Sequence, residues 1–270
     1  MLYRGRFRLY GYGRGLIINK STPMPAKVKV LVEGYLTSDS KGGTGSTVSL
    51  VSDEEIIIVV DPGFLKDRQI LIDALRSEGL SADDVDVVCI THSHVDHYAN
   101  IGMFPNADIL EYYGIWNKEG RMTNWKETFT ENIQILKTPG HNETCITLFV
   151  KTDDGVVAIC GDVFWKEDYP EVDYYATDSL RLEHSRKLVK SMSHWIVPGH
   201  AGIYKTQNGK RLKDAKIGKK VVIKNGGRCK KCHRPFLKSK DKCLCQEWLC
   251  YRCCQCDMDC AVCRCKHRQF

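Results

Sequence analysis

The chain has 270 residues, 43% hydrophobic and 27% charged, with 22 Gly and 8 Pro. That composition excludes a wholly disordered or collagen-like polymer. Apolar runs such as Ile56–Val60 stop at five residues, far below the ~20 needed to span a bilayer, so neither a membrane helix nor a secretory signal is expected. The net charge of +7 is unevenly spread: residues 1–32 carry +7 with no acid, 33–204 carry −14, and 205–270 carry +14. An acidic body between two basic arms suits an anionic partner such as nucleic acid, although solvated tails would show the same pattern.

In chain order, residues 1–26 read as a basic, disordered arm rich in Gly, Arg and Tyr. Val28–Val32 reads as a strand, and Ser38–Ser46 as a flexible Ser/Gly stretch. Thr47–Val51 and Ile56–Val60 read as a hairpin around Ser52-Asp53-Glu54-Glu55. Ile70, Leu71, Ala74 and Leu75 mark a helix over 66–78 that Gly79 stops. Val85–Ile90 is a buried-type strand leading into Thr91-His92-Ser93-His94. Further strands are expected at Ala107–Tyr112, Ile133–Lys137, Cys145–Lys151 and Val156–Cys160, the last two joined by the turn Asp153-Asp154-Gly155. A helix over 178–192 would bury Leu180, Leu188 and Met192, and Trp195-Ile196-Val197 would be a last strand. Strands in runs with helices between them predict an α/β fold, two mixed sheets sandwiched by helices. The order places a body at 27–204, a basic linker at 205–228 and a Cys-rich tail at 229–270.

Chemistry concentrates at strand ends. His92, His94, Asp96 and His97 fall within six residues after a buried strand, and imidazole with carboxylate suits Zn²⁺, Fe or Mn. An extended turn can point His92 and His94 into one pocket, while Asp96 and His97 project from a first helical turn. Thr138-Pro139-Gly140-His141, Cys160-Gly161-Asp162 and Val197-Pro198-Gly199-His200 repeat the design, and Asp61-Pro62-Gly63 follows another strand. Any one of these would ordinarily be a turn; together and in order they predict a shared site at one rim. His184 and His194 lie outside such contexts and are assigned to surface or local packing. Cys89, Cys145 and Cys160 sit in apolar runs and are expected to be buried hydrophobes.

These motifs resemble the metallo-β-lactamase-fold hydrolases over residues 28–204. His92, His94, Asp96 and His97 match the HxHxDH signature, and Asp61, His141, Asp162 and His200 match the other four motifs. The resemblance implies an αββα sandwich with two divalent ions at one edge. It places His92, His94 and His141 on the first ion, Asp96, His97 and His200 on the second, Asp162 bridging, and Asp61 orienting a ligand-bearing loop. Asp96 is the candidate catalytic residue, holding the proton of the nucleophile. The antibiotic-hydrolysing members place a Cys ligand where this chain has Asp162, so β-lactam turnover is not expected. Leu31-Val32-Glu33-Gly34-Tyr35, Gly45-Ser46-Thr47-Val48 and Gly161-Asp162-Val163-Phe164 are similar to a compact dimeric branch of that family. Its members are endoribonucleases acting on histone pre-mRNA 3′ ends in cytosol and nucleus. By that resemblance RNA is the substrate, the chain forms a homodimer, and no membrane or nucleotide cofactor is involved. A small-molecule thioester or ester hydrolase of glyoxalase II type, and a metal-loaded binding module, stay open as alternatives.

Eleven of the 14 Cys lie between Cys229 and Cys265. In a reducing compartment this favours metal over disulfides. Cys229 and Cys232, Cys250 and Cys253, and Cys260 and Cys263 are pairs with zinc-site spacing. Additional structural Zn in the tail is therefore expected, with a metallothionein-like sink as the bland alternative.

Overall fold

The computed structural model describes residues 24–37, 43–54 and 56–212. Most of the N-terminal arm and residues 213–228 of the basic linker lie outside those residues. So do the expected tail zinc ligands Cys229, Cys232, Cys250, Cys253, Cys260 and Cys263. In chain order the first half comprises β1 (Lys27–Val32), β2 (Tyr35–Leu36), β3 (Thr44–Gly45), β4 (Val48–Asp53), β5 (Ile56–Val60), α1 (Gln69–Ser77), β6 (Val87–Cys89), α2 (Val95–Tyr98), β7 (Asp108–Leu110), β8 (Ile115–Trp116) and β9 (Met122–Thr123). The second half comprises β10 (Ile133–Lys137), β11 (Ile146–Thr152), β12 (Gly155–Ile159), α3 (Ser179–Met192), β13 (Trp195–Val197), β14 (Tyr204–Lys205) and α4 (Gln207–Leu212). They form a seven-stranded sheet in the order β1-β4-β5-β6-β7-β8-β9, a five-stranded sheet in the order β10-β11-β12-β13-β14, and the small pair β2-β3. Among the described residues no helix is long and apolar enough to cross a membrane.

The central strands β5, β6, β12 and β13 are apolar on both faces because both faces are covered. In β5, Ile58 and Val60 point between the sheets, and in β10 and β11 so do Ile133, Ile135, Ile146, Leu148 and Val150. The alternate residues face helices. Val59 and Val88 meet Leu71 and Leu75 of α1, while Leu136, Phe149 and Ile196 meet Leu182 and Val189 of α3. The layers run helix, sheet, sheet, helix, as expected. Cys89, Cys145 and Cys160 are buried, and burial pushes their thiols up, so all three stay protonated at neutral pH.

Several elements depart from the sequence reading. Thr44-Gly45, placed in a flexible stretch, pairs with β2. β8 and β9 are strands of two residues each, too short to show a period. Leu180 is 63% exposed, whereas Leu188 and Met192 pack half-buried against the core beside the buried Leu182, Ser185 and Val189. The reason is that Ser185 is a polar residue on the inward face, where its hydroxyl donates to Pro139 O at 2.7 Å. This breaks the apolar stripe that would have fixed the register. The ordered body also continues past the expected boundary, since Lys205 pairs with Trp195 in the sheet.

β5, β6 and β7 run parallel, as do β12 and β13. The loops after β5, β6, β12 and β13 therefore leave the two sheets at carboxyl ends of strands, where Asp61, His92, Asp162 and His200 stand.

Candidate metal centre

All seven proposed ligands converge, in two groups. His92, His94, His141 and Asp162 form one, and Asp96, His97 and His200 the other; within each group the candidate ligand atoms lie within 4.8 Å of one another. His92 and His94 come from the turn after β6, and Asp96 and His97 from the single turn of α2, which begins directly after His94. In the first group His92 Nε2 is 2.9 Å from His94 Nδ1, and His141 Nε2 is 3.1 Å from the same atom. Tetrahedral ligands on bonds of about 2.0–2.1 Å would stand about 3.3 Å apart, so the spacing suits one small cation. Asp162 joins the groups. Its Oδ2 lies 3.3 Å from His141 Nε2, and its Oδ1 lies 3.3 Å from His97 Nε2 and 3.1 Å from His200 Nε2. His97 Nε2 and Asp162 Oδ1 are both buried without a hydrogen-bond partner among the described residues. Leaving such atoms unpaired is costly, and a cation between them satisfies both. Asp96 is less buried and turns its Oδ2 to within 3.6 Å of His200 Nε2.

The nitrogen that faces away from its group is also anchored on His92, His97, His141 and His200, which fixes ring orientation. His97 Nδ1 is 2.8 Å from Asp61 Oδ2. The same Asp61 carboxylate accepts from Thr91 N at 2.8 Å and Thr91 Oγ1 at 2.6 Å, holding the turn that carries His92. His92 Nδ1 is 3.2 Å from Thr91 Oγ1. His94 is the exception: its Nε2 lies 3.3 Å from Asn142 Nδ2, a donor, while Asn142 Oδ1 accepts from Thr144. His200 Nδ1 meets Thr44 Oγ1 at 3.2 Å and Gly45 O at 3.1 Å, and Thr44 Oγ1 also donates to Asp96 Oδ2 at 3.0 Å. His141 Nδ1 lies 2.7 Å from Asp173 Oδ2.

Asp61 stands where the sequence reading put it. Thr44 and Asp173 escaped that reading, because nothing in their local sequence marks a residue whose partner is 156 or 32 positions away. Replacing Asp173 with Ala is expected to lower metal affinity about 10- to 100-fold, with Asp173→Asn milder because its carbonyl still accepts. Competition against a chelator reads the difference; unchanged affinity in Asp173→Ala would remove Asp173 from the centre.

Electrostatics divide the two groups. Burial pushes His92 well below its ordinary pKa, and neighbouring His97 adds to this against the pull of Asp162. His94 is lowered, again first by burial. Burial would depress His97 too, but the Asp61 and Asp162 carboxylates overcome it and hold His97 well above the usual imidazole range. Asp162 would be raised by its burial, yet His97 and His200 keep its carboxyl well below the usual range. The metal-free site therefore presents His92 and His94 neutral at pH 7 and His97 protonated.

Loading the second group must expel that proton; loading the first expels none from His92 or His94. Affinity for the second ion is expected to rise on the order of tenfold per pH unit above about pH 6.5, until the raised pKa of His97 is passed. The first ion should show the shallower slope, since burial already favours neutral His92 and His94. Calorimetric titration with Mn²⁺, which thiolates of the tail bind poorly, tests this; equal slopes would contradict it.

Comparison with known proteins agrees with this geometry. The metallo-beta-lactamase superfamily model matches residues 42–133. Metallo-beta-lactamase domain-containing protein 1 of Xenopus laevis is 31% identical over 189 residues, covering 65% of this chain and 80% of that protein. The chain belongs to the metallo-beta-lactamase superfamily. The human protein of the same name is 30% identical over 169 residues, 59% of this chain and 64% of that one. Among solved structures, a Thermotoga maritima protein assigned to the metallo-beta-lactamases superposes with TM-score 0.54 at 22% identity, covering 67% of this chain and 99% of that one. An N-acyl homoserine lactone hydrolase, with its product at a catalytic metal centre, superposes with TM-score 0.51 at 18% identity over 73% and 98%. These two likenesses show the shared fold. As a superfamily member with this His/Asp cluster, the chain is a metallo-hydrolase with a dinuclear type of site.

Proposed function

We infer that this hydrolase is an endoribonuclease that cuts phosphodiester bonds of single-stranded RNA, of the histone pre-mRNA 3′-end type the sequence resemblance implies. Residence in cytosol and nucleus and a homodimeric state belong to the same proposal. The observation that carries it is Asp162, which contacts both ligand groups through its two oxygens. Two adjacent cation sites sharing one carboxylate suit a reaction in which both an attacking and a leaving oxygen need stabilising. A bound pair of divalent cations, expected to be Zn with Fe or Mn as alternatives, supplies Lewis acidity and makes water nucleophilic near neutral pH.

The chain's own residues do the rest. Asp61, Asp173, Thr44 and Thr91 fix the imidazoles of His97, His141, His200 and His92. Asp96, on the more open side, is placed to hold the proton of the attacking water. Asp96→Asn is expected to retain metal while losing on the order of 10²–10⁴-fold in turnover, the range for a positioned acid–base group; turnover near wild type with metal bound would remove that role. Asp162 to His200 spans 38 residues, filled by a short turn, one loop, α3 and β13, which leaves no room for an inserted substrate domain. The basic arms, +7 and +14, supply counter-charge for a polyanion.

The −14 charge of residues 33–204 favours a second reading, a hydrolase of a small, weakly charged ester, thioester or lactone. Metal-loaded protein given single-stranded RNA, a glutathione thioester and an N-acyl homoserine lactone side by side separates the two. RNA cleavage is the expected result, and turnover of an ester substrate alone would overturn it.

A further inference from the structure

The loop between Trp165 and Thr177 is tied to two ligand-bearing turns. His200 N donates to Trp165 O at 2.8 Å, and Thr177 N donates to His141 O at 3.2 Å. Midway along, the Asp173 carboxylate holds His141, and its other oxygen accepts from Tyr175 N at 2.9 Å. A loop fixed at these points has a defined outer face, and that face is aromatic. The Trp165 ring stands edge-on to His141 with centroids 6.2 Å apart. Tyr175 lies against Trp165 at 5.9 Å with a 37° tilt, and Tyr169 packs on Trp165 at 5.8 Å. Tyr175 is nonetheless 71% exposed, and its neighbour Tyr174 90%. Both stand in solvent, and Tyr175 does so against an indole that packs on His141.

We propose that Trp165 and Tyr175 form a stacking platform for a nucleobase adjoining the scissile phosphate of single-stranded RNA, a subsite that deepens the endoribonuclease reading and rests on it. Unstacked bases bind aromatic faces with little dependence on sequence. The tilt between Trp165 and Tyr175 leaves a phenol ring in solvent next to an indole that already touches His141, so a base stacked there holds its phosphate toward the ligands. Base stacking and the basic arms divide the labour: the arms grip phosphates whatever the base, and the platform recognises that a base is present.

The test uses the full chain in chelator, so that no cleavage occurs, and a labelled RNA octamer beside an octamer of the same length without bases. Arms bind both alike; only a platform distinguishes them. Wild type is expected to prefer the base-bearing octamer by roughly 5- to 150-fold. Tyr175→Ala should lose most of that preference, and Tyr175→Phe should keep it. The exposure of Tyr175 makes misfolding of these variants a minor concern, and a thermal melt confirms it. No preference in wild type, or a preference untouched by Tyr175→Ala, overturns the platform. RNA cleavage by metal-loaded wild type combined with such a result would fault the platform and leave the endoribonuclease reading intact. A base preference that depends on Tyr175, with no RNA cleavage, would fault the endoribonuclease reading. A lowered affinity for an acyl lactone in Tyr175→Ala, with RNA binding unchanged, would make the lip an acyl wall and also overturn the proposal.

Discussion

Replacing Asp162 with Asn should leave the fold in place and disable the centre. Asn keeps the volume and removes the charge that both ligand groups share through contacts of 3.1–3.3 Å. The variant is expected to carry at least one metal equivalent per chain fewer than wild type. Comparing the two full chains cancels whatever the tail cysteines bind. Hydrolysis should fall on the order of 10³-fold or more, beyond the 10- to 100-fold typical of outer partners of a ligand. His97 loses one of the two carboxylates that raise its pKa, so its protonated form should weaken as well, and the pH slope for the second ion should flatten. A full metal complement with a rate within tenfold of wild type would contradict the shared role of Asp162.

The second large effect falls on a residue with no ligand atom at all. A Cβ added to Gly199 would meet Asp162 Oδ1 at 1.8 Å, far inside any tolerable contact. The backbone there cannot retreat freely, because Gly199 N donates to Phe164 O at 2.8 Å and Gly199 O accepts from Thr47 N at 2.6 Å. Gly199→Ala must therefore displace the Asp162 carboxylate. It is expected to reproduce the metal loss of Asp162→Asn and a rate loss of about 10²-fold, the scale on which an ångström of misplacement acts. Gly120→Ala is the matching control: an added Cβ there meets nothing within 4 Å, although its positive φ of 74° costs some stability. Equal metal content in Gly199→Ala and wild type would contradict the account.

Gly199 also shows what a sequence can and cannot disclose. The Pro-Gly-His string announced a sharp turn that lifts His200 off a strand end, and it does. The tighter reason for glycine is a carboxylate 37 positions earlier, which no local pattern signals. The same division holds elsewhere. Ile56–Val60 and Val156–Cys160 were legible because strands covered on both faces are apolar throughout. The seven ligand candidates were legible because each is a metal-ligating residue type at the end of such a strand. The anchors Thr44 and Asp173 were not, since a threonine in a two-residue strand and an aspartate in a loop carry no mark of their role until the chain folds. α3 was legible as a helix but not in its facing, because Ser185 points inward to a carbonyl and Leu180 outward to water.

The aromatic lip was equally silent. Trp165, Tyr169, Tyr174 and Tyr175 lie in a stretch of no period. Only the hydrogen bonds tying that stretch to His141 and His200 give it a place beside the centre.

His92, His94, His141 and Asp162 would hold one cation, and Asp96, His97, His200 and the same Asp162 a neighbouring one. Anomalous diffraction from crystals of the full chain grown with Mn²⁺ tests this arrangement most directly. Two peaks about 3.5–4 Å apart, one on each side of the Asp162 carboxylate, are the predicted result. A single peak, or peaks away from Asp162, would contradict it.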